Sequence, residues 1–233
     1  MLVEVGATRD VLDALLKDPK YAAQIEVIDL RGWWYKPDGT LFAPPGGRQV
    51  AGRYTAGYDS AKTTPEQVYR QIREYRDRYP QKAIVHQIEA SRQQTWAFLM
   101  GGGSLLTRRL EYPHLEDPPT YIAPEAAPLI QPAYDFLRTR LATELPRMRP
   151  ADLATSAAGP VWCLADKKRP VLVYALKGGR FQVDLRGVRG RFRAQWLNPR
   201  TGKLTPAGER VPGTAVAEFT APDGQDWALW RSR

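Results

Sequence analysis

The sequence predicts an α/β module followed by an all-β module: a partial (β/α)8 barrel of about four βα units, then a small antiparallel β-sandwich. Three observations carry this expectation. Apolar runs alternate with amphipathic helical stretches up to residue 150. A Pro/Ala-rich stretch, PRMRPADLATSAAGP at residues 146–160, then reads as a linker. Beyond it come short β-rich runs separated by Gly, Pro, Asn or Asp. The expected domains are residues 1–150 and 151–233.

The first module opens with a short apolar run at residues 2–5, and after Gly6 the stretch 10–17 puts Val11, Leu12, Leu15 and Leu16 on one helical face. A second buried strand is expected at residues 25–30, IEVIDL, bounded by Gly32 and an aromatic cluster. A helix then starts at Thr64 as N-cap, with Pro65 at the first helical position and Gln67 completing a capping box. Val68, Ile72, Tyr75 and Tyr79 follow at helical spacing, and Pro80 stops the run. Directly after it, residues 83–88, AIVHQI, are apolar nearly throughout, as in a strand covered on both faces. Residues 94–100 and 101–107 supply a further helix and a fourth strand, and Ile130, Tyr134, Leu137 and Leu141 mark a last amphipathic helix. A complete barrel takes roughly 250 residues, so these units are either a smaller α/β fold or the rear part of a barrel.

The second module is expected to form seven strands: VWCLAD, PVLVYAL, FQVDL, FRAQWL, KLTPAG, AVAEFT and DWALW. In RFQVDLR and RFRAQW, Phe181, Val183, Phe192, Ala194 and Trp196 alternate with Arg180, Gln182, Arg191 and Arg193, which places the arginines on a solvent face. Trp196, Trp227 and Trp230 read as core. Residues 1–150 carry 20 Lys+Arg against 18 Asp+Glu, whereas residues 151–233 carry 14 against 7. The net +7 of the second module can attract a polyanion such as an acidic polysaccharide.

With 43% hydrophobic and 25% charged residues the composition is globular. No apolar run approaches the roughly 18 residues of a membrane span, and the first residues lack a signal-peptide pattern, so a soluble chain without an export signal is expected. One cysteine, Cys163, excludes an internal disulfide and a cysteine metal site. No cofactor and no metal site is expected: His86 and His114 have no partner at metal spacing, and GGRQVAG and MGGGS lack the Lys-Ser/Thr of a phosphate loop.

Reactive groups in α/β barrels stand at the carboxyl ends of strands, which singles out Asp29 and Arg31 on one strand and Gln87 and Glu89 on another. Glu89 suits a nucleophile or general acid/base, or equally a rim charge paired with Arg92. Trp33, Trp34 and Tyr35 suit the flat walls of a pocket, or plain core packing. The Gly-rich loop of residues 36–62 has the length of a loop that covers a substrate.

The runs IEVIDLRGWWYKPDGTLFAPPGG, TTPEQVYRQIREYRDRYPQKAIVHQIEAS with WAFLMGGGSLL, and QWLNPRTG with FTAPDGQDWALW resemble bacterial glycoside-hydrolase-like proteins of the apiosidase-like type. Those proteins join a (β/α)8 barrel to a C-terminal β-sandwich labelled as collagen-binding. The resemblance implies that AIVHQIE is the seventh barrel strand and Glu89 the catalytic nucleophile, with Asp29, Arg31, Trp33, Trp34 and Tyr35 lining a carbohydrate substrate. The family's second carboxylate sits on the fourth strand, and this chain starts at about the fifth, whereas glycoside hydrolysis needs two carboxylates. The chain would then be the C-terminal portion of an exported enzyme acting on plant or microbial polysaccharide, inactive alone. The alternative is a non-catalytic accessory protein whose basic β-sandwich binds carbohydrate or protein. Nucleic acid is disfavoured, because the basic module lacks a recognition helix and a base-stacking motif. Open sheet edges near residues 2–5 and 105–107 would favour self-association.

Overall fold

The computed structural model describes residues 3–30, 32–46, 63–88, 91–108, 127–167, 169–208, 211–213 and 215–232. Internal contacts divide the chain into two units, Met1–Ala126 and Ala127–Arg233.

In the first unit the apolar runs become strands β1 (Glu4–Gly6) and β2 (Val27–Asp29), separated by helices α1 (Arg9–Lys17) and α2 (Pro19–Ala22). The aromatic cluster forms a two-stranded hairpin of β3 (Trp34–Tyr35) and β4 (Leu41–Phe42). Helix α3 (Pro65–Arg78) begins where the capping chemistry places it, with the Thr64 hydroxyl accepting from the Gln67 backbone N–H at 3.4 Å. Strand β5 (Ala83–Ile88), helix α4 (Arg92–Met100) and strand β6 (Leu105–Arg108) follow. The sheet runs in the order β1-β2-β5-β6 with every pairing parallel, as buried strands separated by helices require.

This sheet corrects the expected partial (β/α)8 barrel. Its four strands form an open sheet that does not close among the described residues, and the inserted β3–β4 hairpin is antiparallel. Nine of the twelve described strand pairings are antiparallel, so the molecule is a mixed architecture dominated by antiparallel sheet. The physical reason is that alternating strand and helix patterns encode parallel pairing locally. Closure depends on strand number and shear, for which no local residue pattern is a signal.

Arg76 on α3 ties this unit together. Its side chain is buried, and its Nε and Nη2 donate to Gly102 O at 2.9 and 2.8 Å. Nη1 donates to Pro80 O at 3.0 Å and Lys82 O at 2.8 Å, and Nη2 also reaches Ser104 Oγ at 3.1 Å. The guanidinium thereby links the end of α3, the start of β5 and the α4–β6 turn. Gly102 has φ +89°, and a Cβ there would lie 2.8 Å from Arg76 Cγ, so both conformation and space demand glycine.

The second unit begins with helix α5 (Ala127–Phe136), which continues as a π-helical turn over Leu137–Leu141. Strands β7 (Arg149–Ala151) and β8 (Ala154–Ser156) come next, inside the stretch expected to be a linker. The seven expected strands are all present, as β9 (Val161–Asp166), β10 (Arg169–Ala175), β11 (Arg180–Asp184), β12 (Arg191–Leu197), β13 (Leu204–Pro206), β15 (Val216–Thr220) and β16 (Trp227–Ser232). A short β14 (Val211–Pro212) pairs with β12. The larger sheet runs β13-β12-β16-β10-β9-β7 and the smaller β15-β11-β8.

Strand alternation sends Cys163, Ala165, Val173, Ala175, Ala194, Trp196, Trp227 and Leu229 of the larger sheet into one core with Phe181, Val183 and Phe219 of the smaller. Trp196 meets Phe181 edge-on at 5.8 Å and Phe219 at 6.5 Å. Trp230 faces the other side of its sheet, where it meets Phe136 of α5 edge-on at 5.5 Å.

Two outcomes are expected. Arg76→Ala, which removes a buried guanidinium and its bonds to several part-buried carbonyls, lowers stability by about 2–4 kcal/mol in chemical denaturation, and Arg76→Lys recovers only part of that loss. Burial pushes the Cys163 thiol up to about 12, so at pH 8 it carries almost no thiolate. Native protein should therefore resist a thiol reagent that modifies the denatured chain at once.

Candidate functional site

At the carboxyl end of the parallel sheet, Asp29 closes β2 in register with Gly6 of β1 and Val85 of β5. It is only 1% exposed. Gly6 makes room for it, since a Cβ there would lie 3.0 Å from Asp29 Oδ2. His86 follows the residue paired with Asp29 and so turns to the opposite face of the sheet. Arg31, Glu89 and His114 lie outside the described residues, as does most of the Gly-rich loop, residues 47–62.

The aromatic triplet is built into the packing of the unit. Trp33 is fully buried, with the Arg9 guanidinium 4.5 Å from its ring centre and Tyr75 at 5.5 Å. Gln71 Nε2 donates to Trp33 O at 2.6 Å and Leu30 O at 3.0 Å, fixing the chain entering the hairpin. Tyr35 donates its hydroxyl to Glu74 Oε2 at 2.7 Å and accepts from Arg9 at 3.2 Å, and Arg70 covers its ring at 3.9 Å. Arg9 also pairs with Glu74. Trp34 stacks on Phe42 at 4.2 Å. These rings meet helices α1 and α3 and the hairpin, and Asp29 is the one candidate carboxylate among the described residues. Among those residues no cluster of three His, Cys, Asp or Glu side chains is placed to hold a metal ion, and no helix is long and apolar enough to cross a membrane.

In the sandwich the alternation of arginines with core residues holds: Arg180, Gln182, Arg191 and Arg193 are exposed. They do not form one strip, because β11 and β12 belong to different sheets whose outer faces point away from each other. Arg180 lies 3.4 Å from Glu218 on the neighbouring strand. Arg186 hydrogen-bonds Asp184 and holds its carboxyl down at about 2.

A polar knot absent from the sequence-based expectations joins two loops at one end of the larger sheet. The Asn198–Gly202 turn places Arg200, whose Nη1 donates to Asp226 O at 2.9 Å and whose Nη2 donates to Asp223 Oδ2 at 3.1 Å. Asp226 is 1% exposed and accepts the Tyr174 hydroxyl at 2.8 Å. The Trp227 indole N–H donates to Asp223 Oδ1 at 2.7 Å and, with the Gln225 backbone N–H, holds that carboxyl below its usual range. Arg200 lies 4.9 Å from the Trp227 ring centre. The N-P-R-T-G turn signal was readable, but nothing in local pattern links Arg200 to an acid 23 residues further on.

Beside this knot lies a cavity of about 520 Å³, between α5 with its π-helical continuation and the Asn198–Gly202 turn. Phe136, Pro132 and Leu204 form an apolar wall, and Gln131, Arg140 and Arg200 bring polar groups to it. Its size falls within the range of small-molecule sites.

Residues 1–114 match the model of a domain of unknown function, DUF6298. Residues 156–230 match a model described as "putative collagen-binding domain of a collagenase". The second match agrees with the type of C-terminal sandwich implied by the sequence resemblance, and neither model is that of a glycoside hydrolase. No curated protein matches the chain.

The knot should carry measurable stability. Tyr174→Phe, which removes a hydroxyl bonded to a buried carboxylate, is expected to cost about 1–3 kcal/mol by thermal or chemical unfolding.

Proposed function

We propose that this chain is a binding protein whose second unit makes contact with a polymeric partner. The observation that carries the reading is the match of residues 156–230 to a collagen-binding model, falling on most of the antiparallel sandwich. The net positive charge of residues 151–233 adds long-range attraction for an acidic polymer. A cavity with both apolar and cationic walls adds a place where a specific contact can form.

A second reading, hydrolysis of a glycosidic bond in the first unit, is favoured by one observation: the buried carboxylate Asp29 at the carboxyl end of parallel strands. It needs a second carboxylate at a set distance, a role the sequence resemblance gives to Glu89.

One set of measurements separates the two. The full chain is passed over immobilised collagen, gelatin, polygalacturonate and heparin at physiological salt, and reducing ends released from each polysaccharide are assayed in parallel. The binding reading expects saturable binding to at least one polymer, no released sugar, and wild-type binding by Asp29→Asn and Glu89→Gln. Sugar release that both substitutions abolish, without saturable binding, would establish hydrolysis instead.

A further inference from the structure

The cavity beside α5 has a chemistry more specific than general attraction. Arg140 is exposed on its rim and makes no ion pair among the described residues. Arg200 is held from behind: its Nη1 donates to Asp226 O at 2.9 Å and lies 3.6 Å from Asp226 Oδ1, its Nη2 pairs with Asp223 Oδ2 at 3.1 Å, and the Trp227 ring centre is 4.9 Å away, which leaves three of its five N–H donors for a ligand. A guanidinium pinned in this way loses little freedom when it meets an anion. The cavity's own carboxylate, Asp135, is engaged by Gln131 Nε2 at 2.9 Å and Arg138 Nη2 at 3.3 Å. Beside these charges, Pro132, Phe136 and Leu204 offer C–H and ring surface, and Thr139 and Gln131 offer hydroxyl and amide groups.

A ligand complementary to these walls carries a carboxylate at one end of a compact body that is apolar on its faces and rich in hydroxyls at its edges. We propose that the cavity binds a uronic-acid oligosaccharide, with the carboxylate toward Arg140 and Arg200 and a sugar ring against Pro132 and Phe136. An acidic peptide side chain offers the same carboxylate, but it leaves most of about 520 Å³ unfilled. The inference rests on the binding reading above and narrows it to one site and one ligand class.

The test is isothermal titration calorimetry of the full chain with a galacturonate trisaccharide, the neutral galactose trisaccharide and an Asp-Pro repeat peptide. The uronate alone should bind. Arg140→Ala should weaken it about tenfold, the effect of one charge-assisted hydrogen bond. Thr139→Trp, at an exposed position on the cavity wall, should abolish it. Both positions lie on the surface, and circular dichroism checks that each variant folds. Equal affinity for the neutral sugar, wild-type affinity in both variants, or no uronate binding at millimolar concentration would each overturn the assignment. If an immobilised polymer is still bound in that case, the binding reading stands and only the cavity falls. Arg140-dependent binding of the peptide in place of the uronate would assign the cavity to a polypeptide partner and overturn the glycan.

Discussion

The second unit is governed by the packing of one tryptophan between two sheets. Sheets that pack face to face are about 10 Å apart, and the space between them must be filled without voids. Trp196 fills much of it, touching Phe181 and Phe219 of the smaller sheet and Trp227 of its own at 6.2 Å. Small residues, Cys163, Ala165, Ala175 and Ala194, occupy four of the other inward positions of the larger sheet. Large rings opposite small side chains are how such layers interdigitate. Once these residues face inward, the two-residue period sends the arginines of β11 and β12 outward. It also sends Trp230 to the side where Phe136 of α5 meets it. The place of α5 on the sandwich, and with it one wall of the cavity, thus follows from a constraint in the core.

The first unit solves a different problem with a buried cation. A parallel sheet with helices on it leaves chain reversals at the ends of strands, and their carbonyls need donors. Arg76 supplies several donors in one rigid fork, and Gln71 does the same for the carbonyls of Leu30 and Trp33. Both side chains come from α3, so a single helix secures the β2–β3 turn, the start of β5 and the α4–β6 turn. The rings of Trp33 and Tyr35 are drawn into the same layer by Arg9 and Arg70. Aromatic residues after a strand therefore do not by themselves identify a pocket: here the neighbouring cations and carboxylates already engage them.

What the sequence made legible was local. The Thr64 cap, the strand at Ala83–Ile88 and the strand at Val161–Asp166 appear at the residues their patterns mark, because capping and apolar runs act over a few residues. Sheet membership was not legible. The alternation in β11 and β12 sends their arginines outward, but it looks the same whether the strands are neighbours or lie in opposite sheets. The Pro/Ala-rich stretch concealed β7 and β8 for a related reason. Each has three residues and lies at a sheet edge, where Pro150 removes no ladder bond that matters. The contact between Arg200 and Asp223 is equally invisible, since it joins two turns through side chains alone. Of the expected site, Asp29 is placed, while Arg31 and Glu89 fall outside the described residues.

The distribution of charge decides how the sandwich can recognise anything. Its excess of positive charge would suggest a polyanion lying along a flat face, yet two of the charges on the smaller sheet are answered locally by Glu218 and Asp184. Exposed pairs of that kind contribute little in either direction. Arg191 and Arg193 of β12 face the other way, so among the described residues these charges do not share one flat face. Attraction at long range survives such dispersal, because it depends on net charge, but selectivity does not. Selectivity needs groups that are fixed in place and partly shielded from water, and the described residues meet that condition where the polar knot holds Arg200 against Trp227 at the edge of a cavity. Net charge would draw an acidic polymer toward the second unit, and a fixed cation beside a cavity is where one such polymer would be told from another.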